Sequence, residues 1–459
     1  MRDLVLFVII VISIPISFLR PYYGILIWTW ITFFNPHRFT WGFMYNFPVA
    51  AVIAVPTLVG CLFTTDLNRQ VFKRETLLLA VLYVWFCVTF VHAMQVPFFE
   101  GHMDDARLEW ARVSKVLLIT FAMILLVTSQ KKFKYLVIVT AMSFGLLAIK
   151  GAIFGIRTSG ESRVWGPPDS FISDNNAFAL AVNISLPMLL FLARDEKKPA
   201  YRWLYYIAFI CGVLSVILTY SRGGILGLAT VLFAITLKSR YKIISLFLVA
   251  MAFVMVVTFA PAQWMERMTG LARGDVDMSG RQRLVSWGTS WNFAMDYPIT
   301  GGSFNALPDV ALFQRYKTQP LPGGFLSSGP HSIYFQTLEE QGFVGLALYL
   351  LLVGSCWVSL YSLRRKARQA ISTQWIVPYT HMMQISLAGF LVSGAFLGLA
   401  NFDLYYQLVA MVIILKMICA KDSLKTLPVP NEGDKPKESN DEELLTTTVG
   451  SHVAFRASV

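Results

Sequence analysis

The stretch YLVIVTAMSFGLLAIKGAIF, residues 135–154, is apolar throughout except for Lys150, and Lys131, Lys132 and Lys134 precede it. A helix of that length rises about 30 Å, the thickness of a bilayer's hydrocarbon core. Outward from it, runs of the same kind recur at 4–19, 22–34, 49–64, 77–94 and 116–128. Further runs lie at 177–193, 203–220, 223–237, 243–260, 343–361, 376–399 and 405–419. Of 459 residues, 56% are hydrophobic and 14% charged, and the mean hydropathy is +0.57. A soluble core cannot absorb so much apolar surface, and fibrous, disordered and disulfide-scaffold classes are excluded with it. The runs are continuous, not alternating, which argues for helices over a β-barrel as the way to satisfy the backbone in lipid. The fold class predicted is an all-α polytopic membrane protein.

Lysine and arginine number 39 against 27 acids, an excess of 12. In a soluble chain that would point to nucleic acid; in a membrane chain its placement matters more, and no nucleic-acid partner is expected. The cations concentrate in alternate loops: Arg69/Lys73/Arg74, Lys131/Lys132/Lys134, Arg194/Lys197/Lys198/Arg202, Lys238/Arg240/Lys242 and Arg364/Arg365/Lys366/Arg368. These loops are predicted to be cytoplasmic, which puts 261–341 on the outer face and the tail beyond Lys421 inside. Residues 4–19 are read as a retained anchor and not a cleaved signal peptide, and 4–34, broken at Arg20-Pro21, as one crossing plus a partial or tilted piece. The sum is about twelve spans with both ends inside. The predicted organisation is N-terminal transmembrane helices over 1–260, an outer loop domain over 261–341, C-terminal transmembrane helices over 342–420 and a disordered cytoplasmic tail over 421–459. The loop mixes Trp264, Trp287, Trp291 and Tyr334 with Arg267, Arg273 and Arg315, which suits interfacial helices among membrane lipids. The five cysteines lie in or beside apolar runs and read as small core residues.

Four places carry candidate chemistry. Tyr220-Ser221-Arg222-Gly223-Gly224 is a tight outer turn whose glycines allow close backbone approach and whose Arg222 has forked donors that match a phosphate; headgroup snorkelling is the plainer reading of that arginine. Ser279-Gly280-Arg281-Gln282-Arg283 precedes a helix predicted from Leu284, so Arg281 and Arg283 would sit at an anion-favouring helix start, or flank an ordinary interfacial helix. In Gly329-Pro330-His331-Ser332-Ile333-Tyr334, the dipole of the next helix would keep His331 neutral and available as a general base; a structural histidine is the alternative. Arg163-Val164-Trp165-Gly166 with Asp174-Asn175-Asn176 suits sugar contacts, a helix cap or an interface anchor. Lys150 must face a cavity or reach the outer surface. Asp275-Val276-Asp277 has the spacing of a divalent-cation pair but reads better as a loop turn.

Taken together, the Ser-Arg-Gly-Gly turn, the Gly-Arg-x-x-x-x-x-Trp element, the long outer loop and the His-Ser-x-Tyr helix resemble the bacterial O-antigen ligase and polymerase superfamily across roughly residues 163–399. Arg20-Pro21-Tyr22-Tyr23-Gly24 and Asn35-Pro36-His37-Arg38 also resemble the branch of putative O-glycosylation ligases that accompany exosortase systems. The resemblance implies a metal-independent, cofactor-free, lipid-linked glycosyltransferase (GT-C-like) at the periplasmic face of the bacterial inner membrane. It implies a glycan donor on undecaprenyl diphosphate and a lipid A-core acceptor, or a protein acceptor for the O-glycosylation branch. It further implies His331 as base, inversion at the anomeric carbon, and Arg222 and Arg281 on the diphosphate, with Arg163 and Arg283 as further candidates. O-antigen polymerisation and lipid-linked glycan transport are the rival readings.

Overall fold

A computed structural model describes residues 1–239, 242–243 and 278–425, and the described residues are helical with no strand. The predicted span at 243–260, the loop before Met278 with Asp275 and Asp277, and the tail beyond Lys425 lie outside them. Nine helices precede the break: α1 Arg2–Leu19, α2 Pro21–Phe34, α3 Val49–Phe63, α4 Arg74–Ala93, α5 Met103–Leu126, α6 Gln130–Arg157, α7 Asn175–Asp195, α8 Pro199–Leu218 and α9 Arg222–Lys238. Five follow it: α10 Met278–Asp296, α11 Val310–Tyr316, α12 Ile333–Ala367, α13 Ile376–Gly394 and α14 Asp403–Lys425. Seven of these (α1, α4, α6, α7, α8, α12 and α14) are long and apolar enough to cross a membrane, and α3 is a shorter apolar helix. The chain is thus a polytopic helical membrane protein. Among the described residues seven helices are long and apolar enough to cross a membrane, where about twelve spans were predicted: α2, α3 and α9 are short, α5 carries charge, α13 is interrupted by polar residues such as His381 and Gln384, and the run at 243–260 lies outside the described residues.

The basic loops gather at one end of the bundle. Lys134 Nζ pairs with Asp195 at 2.6 Å and Lys132 Nζ with Asp66 at 2.7 Å. Arg194, Lys238 and His381 line one cavity there, and Arg364 lies 3.4 Å from His381. The N-terminal region departs from its predicted topology. The Asp3 carboxylate accepts the backbone N–H groups of Gly42 and Met44 at 3.0 and 3.1 Å, and Arg2 stacks on Trp41. At the other end of α1, Tyr22 donates its hydroxyl to the Lys132 carbonyl at 2.9 Å, among the basic loops. α2 then returns to the first end, where Lys150 stacks on Phe39 with its Nζ 3.8 Å from the ring centre. Residues 4–34 therefore form a hairpin of one helix long enough to cross a membrane, α1, and the shorter α2, and residue 1 lies at the end opposite Lys425. The cause is local: Pro21 opens α2 at its first position, so Arg20-Pro21 reverses the chain instead of tilting it. Lys150 reaches that first end, as its charge required.

The outer segment is locked to the bundle where α12 breaks. Gly342 sits at φ 67°, ψ −174°, a backbone region essentially reserved for glycine. The break leaves main-chain groups without helical partners, and the 298–302 turn satisfies them. Gly302 N–H donates to the Glu339 carbonyl at 2.9 Å and Phe343 N–H to the Pro298 carbonyl at 2.8 Å. A Cβ on residue 342 would lie 2.2 Å from the Ile299 carbonyl oxygen. Gly342→Ala therefore combines backbone strain on the order of 1–3 kcal/mol with a clash that must separate turn from helix. It is expected to lower the thermal unfolding midpoint in detergent markedly, and an unchanged midpoint would show that this junction does not hold the outer segment.

Candidate functional site

The site builds up from two adjacent helix starts. Asp174 caps α7, its Oδ1 accepting from Asn176 N–H at 2.8 Å and Ala177 N–H at 3.2 Å. Ser221 caps α9, its Oγ accepting from Gly224 N–H at 2.9 Å and donating to Asn176 Oδ1 at 2.7 Å. Asn175 donates to the Thr219 carbonyl at 2.7 Å, so side chains at the start of one helix stitch it to the start of the other. Arg222 is the first residue of α9 and half-buried, at the positive end of that helix's dipole, where an anion is favoured. The glycines beside it do a different job from the one predicted. Gly223 and Gly224 are buried, and added Cβ atoms would meet Phe396 at 2.9 Å and Ala179 at 2.6 Å. They admit neighbouring helices, not a ligand.

Arg163 lies on the loop before α7 and is exposed; Val164 N–H donates to the Leu218 carbonyl at 3.0 Å, which holds that loop against the end of α8. Burial raises the Tyr220 phenol, and the Arg163 charge nearby opposes that rise. Tyr220 itself has φ 59° and donates its hydroxyl to the Gly160 carbonyl. The Asp-Asn-Asn and Arg163 segments thus converge on the Ser-Arg-Gly-Gly turn.

His331 stands two residues before α12, immediately ahead of its N-cap Ser332, with φ 47°. For a residue that carries a Cβ this region costs roughly 1–2 kcal/mol, so the surroundings must hold it there. Trp287 of α10 donates its indole N–H to the Pro330 carbonyl at 2.7 Å and stacks on Phe335 with ring centres 5.3 Å apart. On the other side, the backbone of His331 packs against Gly398. Phe396 lies 6.3 Å from Trp287 and also covers Gly223, which links the histidine loop to the α9 start. The ring is exposed, yet desolvation by the surrounding protein lowers its pKa from the ordinary 6.5; the Arg283 guanidinium lowers it further, and Asp174 acts the other way. The neutral form is therefore favoured, with desolvation first and the Arg283 charge second among the causes.

Helix α10 differs from its prediction, since it is helical from Met278 at the latest, not from Leu284. Arg283 consequently lies beyond the helix's first turn and beside His331, while Arg281 is exposed on the same helix. The 396–401 loop was not anticipated. Its Ala400 N–H donates to Gln336 Oε1 at 2.9 Å, and Asn401 donates to Glu340 at 3.3 Å. The polar run Asn401-Phe402-Asp403 directly after an apolar span was the signal available for it. A cavity of about 390 Å³ between Arg194, Lys238 and His381 lies at the basic end, away from this cluster.

The helical bundle, with arginines and a left-handed histidine near two helix starts, is that of a polytopic membrane protein. Residues 207–350 match the family model described as O-antigen ligase, and residues 1–197 match that of a family of unknown function (DUF5935). The chain is similar to the O-antigen ligases over the segment that carries Arg222, Arg281, Arg283 and His331, in agreement with the motif resemblance. No curated protein matches the chain.

The Arg283 charge felt at His331 has a pH consequence. Were His331 to act as a general base, which works neutral, its lowered pKa would place the acid limb of a pH–rate profile below pH 6.5. Removing the guanidinium makes imidazolium less costly, so Arg283→Gln should move that limb toward higher pH, whatever it does to the maximal rate. A limb at the same pH in both proteins would mean that Arg283 does not tune His331.

Proposed function

We propose that this protein transfers a glycan from undecaprenyl diphosphate to a sugar hydroxyl of lipid A-core at the periplasmic face of the bacterial inner membrane, without a metal. The family match indicates ligase- or polymerase-type activity with a lipid-linked sugar donor and a glycan acceptor. The observation that carries the finer reading is the convergence of a histidine biased toward neutrality with the arginine-bearing helix starts, on a family segment whose chemistry calls for both.

In this reading a neutral ring nitrogen of His331 takes the proton of the acceptor hydroxyl. The freed oxygen forms a bond to the anomeric carbon while the bond from that carbon to the diphosphate oxygen breaks, so one displacement inverts the centre. The diphosphate leaves with both bonding electrons. Arg222, with the α9 start behind it, and Arg281 neutralise its charge, and Arg163 and Arg283 flank them. Diphosphate is a good leaving group, so no strong general acid is required. The active unit comprises the transmembrane helices of 1–260 and 342–420 with the 261–341 segment carrying the base.

The test uses purified protein, undecaprenyl-diphosphate-linked glycan and lipid A-core, with no nucleotide and excess chelator, read as a gel shift of lipid A. Wild type should produce the shift. His331→Ala should lose about 10²–10⁴-fold and Arg222→Ala or Arg281→Ala on the order of 10²-fold. Full activity in all three variants would remove the proposed site. No shift from a wild-type preparation that binds donor would overturn the lipid A-core acceptor in favour of a protein or a growing glycan.

A further inference from the structure

The end of the bundle opposite His331 holds a second polar cluster that the proposed reaction does not use. Three elements remote in sequence meet there around a cavity of about 610 Å³: Lys73 and Arg74 at the start of α4, Ser359, Ser362 and Lys366 late in α12, and Lys416 in α14. Beneath them Glu75 is completely buried. Its Oε2 accepts from Lys416 Nζ at 2.5 Å, and its Oε1 accepts from Arg74 Nη2 at 3.3 Å, Ser355 Oγ at 2.7 Å and Ser359 Oγ at 2.6 Å. One carboxylate thus orients two cations on the cavity wall. Lys73 and Lys366 have no ion pair or side-chain hydrogen bond among the described residues. Four cations against one carboxylate leave an excess of 4 − 1 = 3 positive charges around one cavity.

The walls distinguish a lipid from a soluble anion. Val358 lines the cavity and is 53% exposed, and on the same helix Trp357 and Tyr361 are also exposed. Phe72, next to Lys73, is 93% exposed. A free phosphate has no use for an apolar surface that continues from its binding site onto the flank of the bundle, whereas a lipid needs both a cationic seat for its headgroup and an apolar track for its chains. Hydroxyls of Ser359 and Ser362 beside the lysines add neutral donors of the kind a phosphodiester accepts.

We propose that this cavity binds the phosphodiester headgroup of an anionic membrane phospholipid, with Lys73 and Lys366 as its outer cations and Arg74 and Lys416, held by Glu75, as the inner pair. The site is independent of the glycan-transfer reading. Two other sources of negative charge are tested alongside: free diphosphate, and Asp441, Glu442 and Glu443, which follow α14 in sequence.

The experiment uses the full-length chain in nanodiscs of phosphatidylcholine with or without phosphatidylglycerol, and reads retained lipid by native mass spectrometry and unfolding by a thermal midpoint. Wild type should retain phosphatidylglycerol over phosphatidylcholine and unfold at a higher temperature with it. Lys366→Gln, and Lys73→Gln with it, should each weaken retention about fivefold per cation removed, with the midpoint in phosphatidylcholine unchanged. Wild-type retention in the double variant would overturn the site. A midpoint gain from inorganic diphosphate in phosphatidylcholine discs equal to that from phosphatidylglycerol would assign the cavity to a free anion. A fall in the double variant's midpoint in phosphatidylcholine, matched by Asp441→Asn with Glu442→Gln and Glu443→Gln, would assign it to the tail.

Discussion

The break at Gly342 is the constraint from which the arrangement of the outer end follows. A helix that stops obeying its hydrogen-bond ladder must find other partners for the released groups, and here they come from the Pro298–Gly302 turn. Side chains just ahead of the break extend the same junction. Glu339 accepts from Ser290 of α10, Glu340 from Asn305 N–H, Gln336 and Asn401, and the Gln341 carbonyl from the Trp85 indole. All three residues are buried. Leaving any of those groups without a partner in a desolvated site would cost more than the bonds contribute singly, so the junction is stable as a whole or not at all. It fixes α10, and hence Trp287 and Arg283, relative to α12, and so determines what surrounds His331.

The candidate site follows a simple electrostatic plan. Helix starts and guanidinium groups supply positive potential, while desolvation and the Arg283 charge favour the neutral form of His331. Such a division suits a reaction in which a diphosphate must be held while a hydroxyl is deprotonated. The same arginine can serve both purposes, since a charge that attracts phosphate also depresses the histidine.

The two ends of the bundle differ in how they treat charge. At the end that holds His331, Arg222 opens α9, whose cap Ser221 bonds to Asn176 at the start of α7. At the basic end, cations are partly neutralised by acids drawn from distant helices, as in Lys134 with Asp195 and Lys416 with Glu75. The first arrangement leaves net potential for a ligand of the outer segment. The second holds helices together through ion pairs between elements far apart in sequence.

Hydropathy runs by themselves determined the helical membrane class, because a spanning helix satisfies its backbone within one continuous segment and its length is set by the bilayer. The alternation of basic loops likewise told which loops share an end, and the short motifs around Arg222 and His331 told which family segment the chain carries. Tertiary structure decided the rest. That the start of α2 lies among the basic loops shows in the Tyr22 hydroxyl bonded to the Lys132 carbonyl, a partner on which the hydropathy of either run is silent. That Gly223 and Gly224 face Phe396 and Ala179, and that the Arg283 charge reaches His331, are relations between residues far apart in sequence. A local pattern specifies what a segment can bury or donate; which partner receives it is set only when the helices pack.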